Sequence, residues 1–578
     1  MATSEAKTGV FRRLDRLNEF ERQPVSEDKL HGGMYFAGSF AGEHVAATEF
    51  VIGALFVIWG ASAFDVLVGL LLGNALAVLS WVLVCAPIAV DTRLTLYWYL
   101  RKIGGPVVMV VYNVLNAVLY CILAGCMITV AASAVRIPFG IEPQTGWIPT
   151  DPYFVAVVIG VGAVVVTLAI LGFKRLAQFA AVCSPWMLLM FIAGALVLLP
   201  RLGSITSFSD FWRVANERIW TGPAPGQANA IGFWHIVAFA WICNLAMHLG
   251  MSDMALFRYA KRPAYGFYSA FGMYLGHYVA WICAGVMGAV VAQTLGRPLT
   301  DIDSGEVAFQ ALGAMGALAV VIAGWTTSNP TLYRAGLALQ VVTPGWPRWL
   351  VTLVAGGITT AIACFPFVFR HLLGFVAIYG ILLMPVGVIV VVEHWIFPRI
   401  GFARYWSTRK GQLLNVPALL SWMIPLALVG FCWTSKHFWE REILHEYFLF
   451  APAWILTAGL YIIFSAMAGA RGALPELEEE TMAAAPSAAA GKPEARETKP
   501  SAFARRAPYY FGGMAVFCLV LIFFLALAVA TRGLPLDRPE EFLAGAHQFY
   551  FKQVLIVITV AYFLCGTIWM TLRERRKS

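Results

Sequence analysis

Residues 33–60 read GMYFAGSFAGEHVAATEFVIGALFVIWG, an apolar stretch that carries Glu43, His44, Thr48 and Glu49. A charged side chain inside a membrane span costs about 2.5–3.5 kcal/mol on insertion scales. Carboxylates kept at that cost are candidates for binding a cation or carrying a proton. Local pairing, with His44 for instance, or a place nearer the membrane surface would also account for them. A second such stretch is 233–259, FWHIVAFAWICNLAMHLGMSDMALFRY. Trp241, Asn244 and His248 stand at i, i+3 and i+7, which puts them on one helical face. An aromatic ring beside an amide suits a flat heterocycle that stacks and pairs donors with acceptors. Ordinary helix packing gives the same spacing. His235 and His277 also fall in apolar stretches, where a single histidine more often bonds a neighbouring helix. No H-E-x-x-H spacing occurs, and the ten cysteines, none in a C-x-x-C pair, read as small core residues.

These residues need a scaffold, and the composition says which kind. The chain of 578 residues is 60% hydrophobic and only 13% charged, against roughly 25% charged in soluble domains. Its solvent must be lipid. At about 20 apolar residues per crossing, helices are predicted near 33–60, 63–90, 105–134, 153–173, 176–200, 232–256, 266–292, 307–328, 348–367, 372–397, 414–433, 447–470, 509–531 and 548–570. That makes an all-α integral membrane protein with a twelve-helix body over 31–470 and two further helices over 508–570. The net charge of +9 does not point to nucleic acid, because the cations cluster in alternate loops. With residues 1–30 and the tail 571–578 cytoplasmic, Lys and Arg favour the inner loops about three to one, as multi-pass proteins of a plasma (inner) membrane do. Arg258, Arg334 and Arg348 are counted among the inner cations. The polar first 30 residues predict no cleavable signal peptide. Residues 471–507, with LPELEEE and an Ala/Pro-rich run, read as a disordered cytoplasmic linker.

Transporters are often two inverted repeats whose binding site lies where the first helix of each is interrupted. Gly38 and Gly42 precede Glu43 in the first span, and Asn244, His248, Gly250, Ser252 and Asp253 interrupt the sixth. Each is first in a five-helix set, so repeats are expected over 31–200 and 231–397. Unwound backbone at mid-membrane needs partners, which a solute or cation supplies.

Five segments, read in order, resemble the nucleobase–cation symporter family one, the permeases of purines, cytosine, allantoin and hydantoins. They are VLVGLLLGNAL around Gly73-Asn74, TRLTLYWYLRKIGG before span 3, SDMALFRYAKR ending span 6, WTTSNPTLYRAGLALQ at span 8, and GFVAIYGILLMPVGVIVVVEHWI in span 10. The resemblance covers roughly 30–435 and implies a leucine-transporter-type five-plus-five inverted repeat. It implies a Na⁺ site from hydroxyls of helix 8, here Thr327 and Ser328, with carbonyls of broken helix 1. It implies a base between an aromatic of helix 3, here Tyr120, and one of helix 6, with Asn329 following the hydroxyls. Counting back from Arg258 puts the helix 6 aromatic at Ala246, and the family's helix 3 glutamine falls at Ala124. Ser252-Asp253 replaces the family's Pro-Asp, Glu393-His394 replaces Asp-Tyr, and Glu43 stands where a neutral residue is usual.

The expected protein is a secondary active transporter of a small nucleobase-like or other polar heterocyclic solute. Na⁺ or H⁺ is the coupling ion, with no other cofactor and a monomeric or homo-oligomeric state in the bilayer. The expected substrate-binding residues are Gly42, Glu43, Tyr120, Trp241, Asn244, His248 and Asn329. The expected coupling residues are Glu43, His44 and Glu49. One alternative is a membrane-embedded enzyme using Glu43, His44 and His248. The other is a transporter-derived sensor or accessory subunit that docks through the last two helices.

Overall fold

The protein is described by a computed structural model covering residues 22–144, 146–203, 205–223, 231–370, 372–472, 502–532 and 541–575. Most of the N-terminal segment, the linker and the end of the tail lie outside the described residues.

Apolar periodicity gives way to breaks at two places, and these organise the molecule. Helix α1 (Gly33–His44) is followed by α2 (Thr48–Ile58), bent by 53°. Between them Val45 leaves helical geometry at φ −86°, ψ 70°. The break therefore falls after His44 and not at the glycines. Gly38 and Gly42 serve packing instead: a Cβ on Gly42 would press into the Ala180 side chain, and one on Gly38 into Ala181. The chain continues as α3 (Ala63–Thr92), α4 (Leu96–Val135), α5 (Pro152–Ile170) and α6 (Phe173–Leu198). Helix α4 kinks at Gly105, whose φ of 75° only glycine adopts freely, just before Pro106. A short helix, Phe208–Val214, lies in the loop after α6, closed by a capping box between Ser207 and Asp210.

The second broken helix is α7 (Phe233–Ile242), α8 (Leu245–His248) and α9 (Met254–Phe257). Its interruptions are Cys243–Asn244 and the stretch 249–253, where Met251 takes φ 65°. A buried non-glycine residue in left-handed geometry marks strained backbone held by its surroundings. Then come α10 (Pro263–Leu295), α11 (Ser304–Leu312), α12 (Ala314–Val342), α13 (Arg348–Ala363), α14 (Leu372–Val391), α15 (Val416–Trp439), α16 (Phe450–Met467), α17 (Ala502–Arg532) and α18 (Glu541–Arg575).

The packing repeats under exchange of the two five-span sets. Helix α2 lies on α10 and α3 lies on α7, while α4 lies on α12. Both exchanged contacts are made close by glycine. A Cβ on Gly53 would stand 2.7 Å from that of Ala284, and one on Gly73 would stand 2.7 Å from that of Ala240. Small residues let helix backbones approach in lipid, where tails compete equally for apolar contact.

Ten helices among the described residues are long and apolar enough to cross a membrane, or eleven with the bent pair counted as one. The other three expected spans lie on α7–α9, α12 and α13. These are broken, polar along the TTSN run, or short, so fourteen is not a count that length and apolarity establish. Span 8 also differs in extent, since α12 runs on to Val342 rather than ending near 328. Arg334 is therefore a fully buried interior residue and not a loop cation. Arg258 and Arg348 are buried as well. Helices α17 and α18 lie against α6. Trp186 Nε1 donates to Thr559 Oγ1 at 3.0 Å, and the Tyr562 hydroxyl donates to the Val182 carbonyl at 2.6 Å.

Candidate functional site

The two breaks face each other, and one arginine from α12 joins them. Arg334 Nη1 donates to Glu43 Oε1 at 2.5 Å, and its Nη2 donates to Glu43 Oε2 at 3.1 Å. Nη2 also reaches Asp253 Oδ1 at 2.5 Å. The second Asp253 oxygen accepts from Trp81 Nε1 of α3 at 2.7 Å. Glu43 lies in the last turn of α1 and Asp253 ends the second break, so both interrupted helices are tied to α12 by charge-assisted bonds. Tyr120 of α4 lies below the guanidinium, 6.0 Å from its ring centroid, and its hydroxyl bonds Ser252 at 2.6 Å.

The carbonyls freed at the first break find partners. Thr327 Oγ1 lies 3.0 Å from the Glu43 carbonyl and 3.0 Å from the Ala323 carbonyl. Ser328 Oγ bonds the Gly324 carbonyl at 2.6 Å, and Asn329 Nδ2 bonds the Trp325 carbonyl at 2.7 Å. Two glycines of α10, Gly272 and Gly276, stand against the His44 ring and the His44 carbonyl, where a Cβ has no room.

Beside this lies a second polar cluster. Glu49 of α2 accepts from Trp281 Nε1, lies 3.5 Å from the Thr48 hydroxyl, and has His277 Nε2 at 3.8 Å. His277 stacks on Trp281 with centroids 4.3 Å apart. Its Nδ1 lies 3.5 Å from Asn244 Nδ2, and its carbonyl accepts from Asn74 Nδ2 at 3.3 Å. The His44 ring is 5.0 Å from that of His277. The two clusters share a cavity of about 70 Å³ lined by Glu43, His44, Thr48, Glu49, Asn244, His277, Thr327 and Thr331 on its polar side. Leu123, Met127, Met247 and Tyr379 give its apolar side. By volume it holds a few waters or a small planar group.

Of the expected site residues, Glu43, His44, Glu49, Asn244 and Thr327 line this cavity. Ser328 and Asn329 sit on the same helix with their hydrogen-bond donors turned to their own turn. Tyr120 reaches the site through Arg334 and Ser252. Gly42 packs on α6. Trp241 donates to Ser80 Oγ at 2.9 Å and its ring meets Phe450, while His248 Nε2 donates to the Trp241 carbonyl at 2.9 Å. The three do not share a face, because the helix is interrupted at Cys243–Asn244 and the i, i+3, i+7 register does not cross it. Glu393 is tied to Tyr461 at 2.7 Å and to the Tyr405 amide, and His394 is 3.0 Å from Asp91. These bind the end of α14 to its neighbours, away from the cavity.

Sequence reasoning missed Arg334, Asp253 and His277 as site residues. The apolar run GLALQVV after Arg334 was the available signal that the helix continues past it. G-x-x-x-G at 272–276 was the signal for close approach in α10.

No protein-family model matches the chain, and no curated protein sequence does. Solved structures do. Mhp1, a nucleobase-cation-symport-1 family transporter, in a closed conformation with bromovinylhydantoin bound, is 15% identical. It superposes with a TM-score of 0.60 over 78% of this chain and 96% of that one. Mhp1 in an inward-facing conformation is 16% identical with a TM-score of 0.57, over 78% of this chain and 94% of that one. A Na⁺-coupled sialic acid symporter in a substrate-bound outward-open state is 11% identical with a TM-score of 0.57, over 81% of this chain and 95% of that one. The chain therefore shares the leucine-transporter-type five-plus-five fold of these membrane proteins.

Proposed function

We propose that this protein is a secondary active transporter that moves a small polar, heterocycle-like solute by alternating access. The observation that carries the reading is the meeting of two interrupted helices at one cavity with a polar wall. Backbone carbonyls freed at mid-membrane, a hydroxyl helix facing them and a carboxylate on the wall form a place to bind, not a place to break bonds. Solutes larger than the cavity enter by displacement of α14, or of α10 around His277, from the α4–α12 pair. All fourteen helical segments cross the bilayer in this reading, with both termini cytoplasmic, in the plasma membrane. The body spans 31–470 and the last two helices brace α6.

Oxygen atoms at the first break support a coupling ion there. The Thr327 hydroxyl lies 3.0 Å from each of the Glu43 and Ala323 carbonyls, and hard oxygens of this kind suit Na⁺. Ser328 adds a second hydroxyl on the same helix. Glu49 and His44 are the groups through which H⁺ would act instead. Asn244, Glu43 and Tyr379 border the solute, with Tyr120 behind them.

The enzyme alternative is disfavoured by geometry. Glu43 is held by Arg334, and His248 is folded back on the Trp241 carbonyl, so neither is free to shuttle protons. Counterflow in proteoliposomes across nucleobases and related heterocycles, with and without Na⁺, tests the proposal. Saturable exchange is expected, and its absence for every solute refutes it.

A further inference from the structure

We infer that the transported solute is itself a cation, an amidinium- or guanidinium-like group, and that Glu49 is its counterion. This rests on the transporter reading above and deepens it to a substrate class. The argument begins with charge. Two buried carboxylates, Glu43 and Glu49, line the cavity, and a third, Asp253, is buried behind Glu43 with one guanidinium, Arg334. Arg334 spends both terminal nitrogens on Glu43 and Asp253. Glu49 is left with an indole N–H, a hydroxyl at 3.5 Å and an imidazole at 3.8 Å. Among the described residues no Lys or Arg pairs with it. A buried carboxylate without a cationic partner is expensive, and this one opens on the cavity.

Hydrogen-bond polarity gives a second, independent sign. His44 Nδ1 lies 2.9 Å from the Phe40 carbonyl. A carbonyl only accepts, so Nδ1 carries the proton and Nε2 is a bare acceptor. That Nε2 is buried and has no hydrogen-bond partner, on a residue that lines the same cavity. The groups facing Glu49 and His44 come from every packed element. They are Glu43 and Phe40 on α1, Thr48 on α2, Trp81 on α3, Cys243, Asn244 and Asp253 at the second break, His277 and Trp281 on α10, and Thr327 and Arg334 on α12. Only Arg334 among them carries a fixed positive charge, and it is engaged. The wall is acceptor-rich and one positive charge short. A planar cation with several N–H donors supplies both needs, and an amidinium edge matches a carboxylate with two parallel bonds. The cavity of about 70 Å³ admits a group of that size.

Isosteric pairs that differ only in charge test this. Acetamidinium and acetamide, and guanidinium and urea, are added to the purified full-length protein at matched millimolar concentration and ionic strength, and thermal unfolding is read. Ligands that bind only the folded state raise the melting temperature. The cationic member of each pair is expected to raise it and the neutral member to leave it unchanged. Glu49→Gln is expected to weaken the cation's binding roughly 10–100-fold, the factor a charge-assisted hydrogen bond carries. Glu49→Asp should keep part of it. Should Glu49→Gln not fold, inhibition of counterflow by acetamidinium but not acetamide in the unaltered protein carries the test. Equal shifts from both members of a pair, or none from either, overturn the inference. So does uptake of a neutral solute accompanied by proton entry, which would make Glu49 a proton carrier. Failure of the transporter reading is seen separately, as no counterflow of any solute.

Discussion

Replacing Arg334 with methionine tests whether the paired charges hold the two breaks together. The guanidinium is fully buried and serves Glu43 and Asp253, themselves 4% and 0% exposed. Removing one partner of a buried ion pair costs about 3–5 kcal/mol, because the other charge is left uncompensated in low dielectric. Here two carboxylates are stranded side by side, so the cost lies at or above that range. Glu43→Gln is the contrasting change. It leaves Arg334 and Asp253 as a balanced pair and an amide oxygen still facing Nη1, for a loss of about 1 kcal/mol. Arg334→Lys falls between, since an ammonium cannot fork across two carboxylates. With an unfolding entropy of about 2.1 cal/mol/K per residue, a body of several hundred residues loses about 1 °C per kcal/mol. Arg334→Met should therefore melt about 3–5 °C or more below the unaltered protein, and Glu43→Gln about 1 °C below. Tryptophan fluorescence on detergent-purified protein reads both, with Trp81 directly bonded to Asp253 as a local reporter. An Arg334→Met protein that melts within about 1 °C of the parent refutes the reasoning. A Glu43→Gln loss as large as that of Arg334→Met does so too.

Three further outcomes are expected. Thr327→Val removes the hydroxyl facing the Glu43 and Ala323 carbonyls; about 1 kcal/mol of stability should go with it, and any Na⁺-dependent thermal stabilisation should disappear. Gly276→Ala forces a methyl onto the His44 carbonyl and should cost about 1–3 kcal/mol or prevent folding, whereas Gly357→Ala, with open space around it, should be neutral or stabilising by up to about 1 kcal/mol; melting temperatures decide. Burial, with His235 beside it, holds the His445 imidazole down at about 4 in the loop before α16. The unfolded chain takes that proton near 6.5, so it binds more protons below this pH and stability falls from about pH 6.5 toward 4. His445→Gln should flatten that part of a melting-temperature profile.

Composition and the two polar interruptions carried the architecture, because a lipid-embedded chain must pair every backbone group and advertises the exceptions. The exact places of interruption were hidden. A glycine beside Glu43 reads as flexibility in one dimension, but Gly42 is small because α6 is close, and the chain departs from the helix at Val45. Arg334 was hidden for a related reason. Its span is too polar to stand out by hydropathy, since it carries the TTSN run, and an arginine near a drawn boundary looks like a loop cation. Its partners come from residues 43 and 253, separations at which local patterns say nothing. The Trp241–Asn244–His248 face failed because periodicity assumes a continuous helix, and this one stops at Ile242.

The arrangement also constrains what can move on the transporter reading. Arg334 binds the end of α1 and the second break to α12 at once, through three charge-assisted bonds. Parting them in lipid would expose charges whose desolvation has already been met by one another, at several kcal/mol each. The contacts elsewhere around the cavity are weaker. His277 is 3.8 Å from Glu49 and 3.5 Å from Asn244, and Tyr379 lines the cavity. At the start of α1 the Tyr35 hydroxyl donates to Glu574 at 2.6 Å, and Lys174 of α6 pairs with the same carboxylate at 3.0 Å. Opening therefore falls to α14, to α10 around His277, and to the α1–α18 tie, while the Arg334 group travels as one unit. On the inference drawn above, a guest cation at Glu49 would act on this loosely held side of the cavity, so its binding energy would be spent where the structure yields.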